Sequence, residues 1–354
     1  MTDPKLPVDA GTDLLQVDDL VTSYPINRGL LGRGRMQAVA GVSFTIAAGE
    51  SLGLVGESGC GKSTVARTVV GLLRPTSGRV VVAGQDITRL DRGQEAELRQ
   101  SVQMVFQDPF SSLNRRMTVR ELITEPWLVH PKIEPRDGWD KRVAELLELV
   151  GLSARHADRT PGQFSGGQLQ RISIARALAV RPQLLIADEA VSALDVSVQA
   201  QILNLLADLR AELGLAMLFI SHDLSVVRHV CDRIAVMYLG RIVETGTRDQ
   251  LFGRPTHPYT QALIGSAPEL YPWRDPRPTR ELDEGEIPSP ADPPSGCRFR
   301  TRCPKATQLC QVEEPQLELR GFDHPSACHF AADDGFSARP PSEVDHENSE
   351  RNDP

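Results

Sequence analysis

The segment Gly56-Glu-Ser-Gly59-Cys-Gly61-Lys62-Ser63 decides the fold class, because it satisfies the pattern G-x-x-x-x-G-K-[ST]. It follows the apolar run Leu52-Gly-Leu-Val55 and precedes a helical pattern, which is the context that this motif needs. Its glycines let the backbone turn so that several N–H groups point inward at the start of a helix. We therefore predict a phosphate site in which Lys62 neutralises the β- and γ-phosphates and Ser63 Oγ binds Mg²⁺.

A second segment, Gln183-Leu-Leu-Ile-Ala-Asp188-Glu189, is an apolar run that ends in two carboxylates. We predict a buried strand that delivers Asp188 to the metal, with Glu189 placed to polarise a water for in-line attack on the γ-phosphate. An ordinary strand end followed by a helix cap is the plainer alternative. The phosphate loop upstream favours the catalytic interpretation.

The chain between Leu14 and about Gly246 alternates short β-rich runs with helical patterns, which predicts an α/β fold. Strands are predicted at 51–55, 79–82, 102–106, 183–187, 216–220 and 233–238. Helices are predicted at 62–72, 141–150, 166–179 and 197–213.

Composition narrows the class of protein. The net charge of −8 lacks the basic character of a nucleic-acid binder, so we expect no nucleic-acid partner. No apolar run approaches the ~20 residues that cross a bilayer, and the N-terminus lacks a signal-peptide pattern. We expect a cytosolic protein whose thiols are metal ligands or free rather than disulfide-bonded.

The segment Phe164-Ser165-Gly166-Gly167-Gln168 resembles the L-S-G-G-Q signature of the ATP-binding cassette family, with Phe in place of the leading Leu. Taken alone, Ser165 could be a plain helix N-cap. The resemblance implies a P-loop NTPase with a RecA-like core, an antiparallel β subdomain and a helical signature subdomain. It also implies that Ser165, Gly166, Gly167 and Gln168 act in trans on the nucleotide of a second, facing cassette.

Four further positions match the family in order. Tyr24, expected before the first strand pair, matches the aromatic that stacks on adenine, and Gln107 matches the glutamine that senses Mg²⁺ and the attacking water. Asp195 matches the loop that contacts the opposing subunit, and His222 matches the histidine that holds the γ-phosphate.

These matches imply an ATPase with Glu189, His222 and Gln107 as its catalytic residues and with Mg²⁺ at Ser63 and Gln107. The implied nucleotide-binding residues are Tyr24, Gly56, Glu57, Ser58, Gly59, Cys60, Gly61, Lys62, Ser63, Thr64 and Asp188.

Three stretches, at 107–119, 193–201 and 251–263, are similar to the oligopeptide and dipeptide importers of this family. The insert at 27–35 resembles the second of their two ATPase subunits. The resemblance implies an ATP-hydrolysing subunit at the cytoplasmic face of the membrane. Its expected partners are a homologous ATPase, two permease subunits and, indirectly, an extracytoplasmic substrate-binding protein. Related importers carry nickel or oligosaccharides, so the cargo stays open.

Soluble cassette ATPases that act on DNA or ribosomes are the main alternative. DNA-acting members insert a long coiled coil between loop and signature, whereas roughly a hundred residues without sustained heptads separate them here. Ribosome-associated members carry two cassettes in one chain. A metal-cluster assembly ATPase would fit the cysteines but not the importer-like stretches.

Four of the six cysteines lie close together near the C-terminus, with the spacing C-x5-C-x6-C-x17-C. That segment is Pro-rich and poor in apolar residues, so we expect it to need a metal centre for stability. We predict one [4Fe–4S] cluster, and the family resemblance points the same way. A zinc site including His324 or His329, free thiols and a disulfide remain alternatives. The predicted cluster ligands are Cys297, Cys303, Cys310 and Cys328, with Cys60 and Cys231 as non-ligands.

The expected domains are a nucleotide-binding domain at 13–250 and a small irregular extension at 251–330 that carries the four cysteines. Disordered tails are expected at 1–12 and 331–354, and a linker or wrap-around segment at 272–294.

Overall fold

The structure is a computed structural model that describes residues 13–27, 33–266 and 288–331. The tail expected at 1–12, nearly all of that at 331–354, most of the 27–35 insert and much of the 272–294 segment lie outside these residues.

The strands and helices follow one another in the order that an α/β fold requires. The strands are β1 (Asp13–Asn27), β2 (Arg33–Ala47), β3 (Ser51–Val55), β4 (Ser77–Val82), β5 (Gln85–Asp86), β6 (Val102–Val105), β7 (Leu184–Asp188), β8 (Ala216–Ser221), β9 (Arg233–Tyr238), β10 (Arg241–Thr247), β11 (Glu318–Leu319) and β12 (Pro325–Ser326). The helices are α1 (Lys62–Val69), α2 (Arg92–Ser101), α3 (Pro109–Ser112), α4 (Val119–Val129), α5 (Trp139–Leu149), α6 (Gly166–Leu178), α7 (Val196–Leu213), α8 (Leu224–Val230), α9 (Arg248–Gly253), α10 (Pro258–Ser266) and α11 (Leu309–Val312).

A parallel core sheet carries the motif residues. Strands β9, β3, β8, β7 and β6 lie side by side in parallel, and β3, β7 and β8 are buried along their whole length. The apolar composition of these runs is typical of strands covered on both faces. Because parallel strands end at the same edge, the loops after β3, β6, β7 and β8 meet there.

Two further units flank this sheet. Strands β2, β1, β4 and β5 form an antiparallel sheet in that order. Helices α4, α5 and α6 pack together around Trp127, which is fully buried and donates its indole N–H to the carbonyl of Ala179 at 2.8 Å. This arrangement confirms the predicted α/β fold with an antiparallel β subdomain and a helical signature subdomain.

The position of Tyr24 corrects one expectation. The residue lies inside β1, opposite Met36 of β2, and not before the first strand pair. Strand β1 shifts register at several points along its length. Such bulges interrupt the two-residue alternation by which a strand is recognised.

The C-terminal extension joins the edge of the core sheet. β10 runs antiparallel to β9, β12 pairs with β10 at Glu244 and Ser326, and β11 pairs with β12. Phe299 is buried against core and extension aromatics, with ring centroids 5.2 Å from Tyr238 and 5.4 Å from Tyr259. The extension is therefore packed on the same hydrophobic core as the cassette.

Candidate nucleotide site

The phosphate loop, residues 56–63, links β3 to α1 as predicted. Gly61 has φ +111°, and a Cβ atom there would lie 2.2 Å from the carbonyl oxygen of Ala38. Any side chain would combine a strained backbone with a collision against main-chain atoms, so this position requires glycine. The turn directs the chain into α1, whose first residue is Lys62.

Lys62 is buried and bonded within the loop. Its ammonium donates to the carbonyl oxygens of Gly56 at 2.7 Å and Glu57 at 3.0 Å. Both acceptors are neutral. Phosphate oxygens would form stronger, charge-assisted bonds with the same ammonium, so the lysine is placed to exchange one set of acceptors for the other.

Ser63 and Asp188 lie side by side. The Ser63 hydroxyl donates to Asp188 Oδ1 at 3.0 Å, which joins the start of α1 to the end of β7. Burial raises the pKa of Asp188, although the bond from Ser63 opposes this shift. A desolvated carboxylate next to a hydroxyl offers the oxygen ligands that Mg²⁺ prefers, and a cation there would favour the charged carboxylate.

The three predicted catalytic residues meet at the carboxyl ends of β6, β7 and β8. Glu189 Oε1 lies 3.5 Å from His222 Nδ1. Gln107 Nε2 donates to Ser192 Oγ at 3.2 Å, and Ser192 Oγ donates to the carbonyl of Glu189 at 3.0 Å. The structure therefore brings a carboxylate, an imidazole and an amide to one place beside Asp188.

Tyr24 also reaches this region. Its hydroxyl lies 3.4 Å from Thr64 Oγ1, in the first turn of α1. The ring is thus held next to the end of the phosphate loop, where the rest of a nucleotide would extend.

The signature residues form a separate group. Ser165 is exposed and caps α6 in a capping box with Gln168, and a Cβ on Gly167 would lie 2.3 Å from Val198 Cγ1 of α7. Asp195 caps α7, where its carboxylate accepts from Val198 N at 2.9 Å. In the parts of the chain that the structure describes, no hydrogen bond or ion pair joins the signature residues to the phosphate loop.

Residues 39–192 match the family described as ABC transporter, and residues 243–310 match the one described as oligopeptide/dipeptide transporter, C-terminal region. A probable peptide ABC transporter ATP-binding protein of Sinorhizobium fredii is 52% identical over 324 residues, which cover 90% of each chain. The chain belongs to the ATP-binding cassette transporter family. The oligopeptide transport ATP-binding protein AppF of Bacillus subtilis is 49% identical over 320 residues, which cover 90% of this chain and 97% of that protein.

Solved cassettes confirm the fold. A dimeric post-hydrolysis cassette bound to ADP and Pi superposes with a TM-score of 0.59 at 29% identity, covering 66% of this chain and 98% of that one. The cbiO1 subunit of an ABC transporter complex from Clostridium perfringens gives 0.60 at 30% identity, covering 68% and 90%. As a cassette ATPase, the protein binds ATP with Mg²⁺ and hydrolyses it.

Two residues that touch the phosphate loop escaped the sequence analysis. The Glu57 N–H donates to the Tyr259 hydroxyl at 2.9 Å, and Arg302 Nη1 donates to Glu57 Oε2 at 2.8 Å. Both belong to the extension and are more than 200 positions away along the chain. Tyr259 lies in the importer-like stretch at 251–263, but no local pattern identifies it or Arg302 as a contact of the phosphate loop, because only the fold brings them there.

The predicted [4Fe–4S] cluster is wrong. The four cysteines do line one small cavity, but in 13–27, 33–266 and 288–331 no group of three or more His, Cys, Asp or Glu side chains could hold a metal ion. Burial raises the pKa of Cys297 to about 11 and that of Cys328 to about 12, so both thiols are neutral. The names of the peptide-transport relatives refer to ATP binding and transport and not to a metal.

The segment has a source of stability other than a metal. Its Phe299 packs against Tyr238 and Tyr259 in the hydrophobic core that the extension shares with the cassette. This aromatic burial contributes the stability for which the sequence suggests a metal centre.

Proposed function

We propose that this cassette is the ATP-hydrolysing subunit of an importer for dipeptides and oligopeptides. The observation that carries the proposal is the peptide-transporter C-terminal region at 243–310, joined in one chain to a cassette with intact motifs. The dipeptide transport ATP-binding protein DppF of Escherichia coli supports it, with 48% identity over 87% of this chain and 92% of that protein.

The chemistry follows from the arrangement of side chains around the phosphate loop. Phosphoryl transfer relies mainly on positioning and charge stabilisation. Lys62 would bind the phosphates, and Ser63 with Asp188 would hold Mg²⁺, which would neutralise charge on the phosphate oxygens. Glu189 would accept the proton of the attacking water. His222 would hold the γ-phosphate, and Gln107 would sense the metal and orient the water.

The signature would act on a second nucleotide. Ser165 is exposed and presents a hydroxyl at the positive end of α6, which suits a phosphate supplied by another subunit. Two ATP molecules would thus be sandwiched between this chain and a homologous ATPase subunit, with Asp195 at the subunit contact. Hydrolysis would reopen the pair.

The membrane partners would bind the helical subdomain near Gln107. Phe110 follows this glutamine and is exposed, as are Leu128 and Val129 at the end of α4. We propose that these side chains form part of the contact with the permease. Among the described residues, no helix has the length and apolar character to cross a bilayer. We propose peripheral attachment at the cytoplasmic face through two permease subunits, which receive cargo from an extracytoplasmic binding protein.

Reconstitution of the transporter in proteoliposomes tests which substrate it carries. The chain would be co-expressed with candidate permease and ATPase subunits, co-purified in detergent and placed in proteoliposomes with the matching binding protein. ATP-dependent uptake of a labelled dipeptide or oligopeptide is expected, and the Glu189→Gln variant is the matched control without hydrolysis. Uptake of nickel or an oligosaccharide in place of peptides would contradict the proposal.

A further inference from the structure

Glu57, the second residue of the phosphate loop, connects the loop to the C-terminal extension. Its carbonyl accepts from Lys62 Nζ, whereas its N–H and its carboxylate are bonded to Tyr259 and Arg302. The same residue therefore touches the phosphate-binding lysine on one side and the extension on the other.

The residues that make these contacts are buried and packed within the extension. Tyr259 is fully buried on α10, and the Arg302 side chain is only 8% exposed. Phe299 packs against Tyr238 and Tyr259, and Arg298 donates to the carbonyl of Leu239. Gly240, the next residue, donates its N–H to the carbonyl of Cys60 in the loop at 2.8 Å.

The charge of Glu57 makes this contact relevant to nucleotide binding. Together with burial, which has the larger effect, this carboxylate raises the pKa of the Cys60 thiol, while Lys62 opposes the shift. Glu57 thus places a carboxylate in the loop itself, and its own carbonyl is bonded to Lys62. Left unpaired, it would repel the phosphates of ATP and would attract Lys62 away from them.

Arg302 is suited to neutralise that charge. Burial disfavours the guanidinium, but the Glu57 carboxylate and the Tyr238 hydroxyl outweigh this effect and raise the pKa of Arg302. A guanidinium also keeps its charge at any physiological pH, so the neutralisation is permanent.

We propose that Arg302 and Tyr259 are positioning residues for the phosphate loop, and that ATP affinity in this subunit depends on the docked C-terminal extension through Glu57. The inference rests on the ATP-binding role of the loop within the proposed function. On this proposal the extension helps to position the phosphate loop of the nucleotide site.

A double-mutant cycle on the full chain tests the proposal, with the Kd of the non-hydrolysable analogue AMP-PNP and Mg²⁺ measured by calorimetry. Arg302→Gln should raise the Kd about tenfold, since it leaves a partly buried carboxylate unpaired beside the phosphates. In the Glu57→Gln background the same substitution should change the Kd less than twofold. Arg300→Gln is the matched control, because Arg300 bonds to Ser295 of the same segment and should leave the Kd unchanged.

Steady-state ATPase assays add a second readout. Arg302→Gln should raise the KM for ATP about tenfold and leave kcat within about twofold, and Tyr259→Phe should raise the KM in the same direction because the Glu57 N–H loses its partner. If Arg302→Gln does not fold, the comparison of Glu57→Gln with the double variant carries the test.

A tenfold loss that persists without the Glu57 carboxylate, or an equal fall in kcat, would overturn the positioning role. A chain that binds no AMP-PNP would instead contradict the proposed function. The two failures are therefore distinguishable.

Discussion

At the scale of single residues, the backbone of Glu189 is unusual. Its φ of +48° lies in the left-handed region, where the backbone of a residue other than glycine is strained by about 1–2 kcal/mol. Its N–H donates to the carbonyl of Ile220 at 3.0 Å, and the fully buried β7 leads into the turn. The fold thus maintains a strained turn that places this carboxylate 3.5 Å from the imidazole of His222.

Glu189→Gln should therefore preserve the turn at this position and remove the proposed general base. We expect normal ATP binding and hydrolysis slowed by about 10²–10⁴-fold, because an amide cannot accept the proton of the attacking water. Closed dimers with the partner subunit should accumulate, as size-exclusion chromatography with ATP would show. Near-normal turnover in the assembled transporter would remove Glu189 from this role.

Motif residues were predictable because the order and spacing of short patterns along the chain identify them. Lys62, Asp188 and Glu189 are of this kind. Tyr259 and Arg302 could not be predicted, since their contacts with Glu57 exist only after the chain has folded.

At the scale of elements, two helix N-termini have different proposed roles in nucleotide binding. α1 begins within the phosphate loop at Lys62, and α6 begins at the exposed Ser165 with no described bond to that loop. The proposed role of the first N-terminus is to bind the nucleotide of this chain, and that of the second is to bind the nucleotide of the partner.

Substitutions at the two N-termini should separate two steps, the binding of ATP by this chain and the closure of the dimer. Lys62→Ala should weaken ATP binding by the isolated chain, since the lost charge faces the phosphates before any reaction. Ser165→Arg should leave that binding intact and prevent closure of the dimer, because a bulky cation would occupy the facing site. Fluorescent-nucleotide titration and cross-linking of the pair measure the two steps. Loss of the same step in both variants would contradict the assignment in trans.

The buried carboxylate of Glu244, on strand β10, is hydrogen-bonded to several residues of the extension. Glu244 is fully buried and accepts from both the N–H and the hydroxyl of Thr256, from His257 N and from His324 Nε2. Burial opposes the charge on His324, but Glu244 and Asp323 outweigh it and raise the pKa of this histidine. The neighbouring His257 is neutral, because burial lowers its pKa to about 4.

This pair predicts a pH dependence of stability. Because the pKa of His324 is raised from 6.5, the folded chain holds a proton that the unfolded chain has lost, so stability falls as pH rises above about 6.5 and through the pKa of the folded histidine. We expect a decrease of about 1 kcal/mol in the free energy of unfolding, measured by urea denaturation. His324→Gln should flatten the profile in this window, which lies below the ionisation of exposed thiols near ~8.5. An equally steep profile in the variant would exclude His324 as the cause.

Strands that are buried on both faces were predicted nearly to their ends, as β3 and β9 show. β1 and β2 were not, because bulges break the alternation of apolar and polar residues along them. The aromatic core of the extension also escaped, since Phe299, Tyr238 and Tyr259 lie far apart in the sequence.

At the scale of the whole molecule, the negative net charge disfavours nucleic acids as partners. A net charge of −8 gives no favourable electrostatic contribution to binding a polyanion. The proposed functional surfaces are the nucleotide site, the signature at α6 and the exposed apolar residues near Gln107, each of which suits a protein or nucleotide partner.

The isolated chain should therefore not bind duplex DNA appreciably at physiological salt. Fluorescence anisotropy with a labelled duplex at two salt concentrations measures this directly. Salt-sensitive, submicromolar binding would support a soluble ATPase that acts on DNA and would count against the importer.

The pairing of β12 with β10 has a consequence for solubility. Without the extension, β10 would be an unpaired edge of a large, apolar sheet, and its free N–H and C=O groups could recruit a strand from another molecule. β12 pairs with β10 at Glu244, and β11 pairs with β12, so the new edge is only two residues long. Removal of the extension should therefore make the chain more prone to aggregate before it assembles with other subunits.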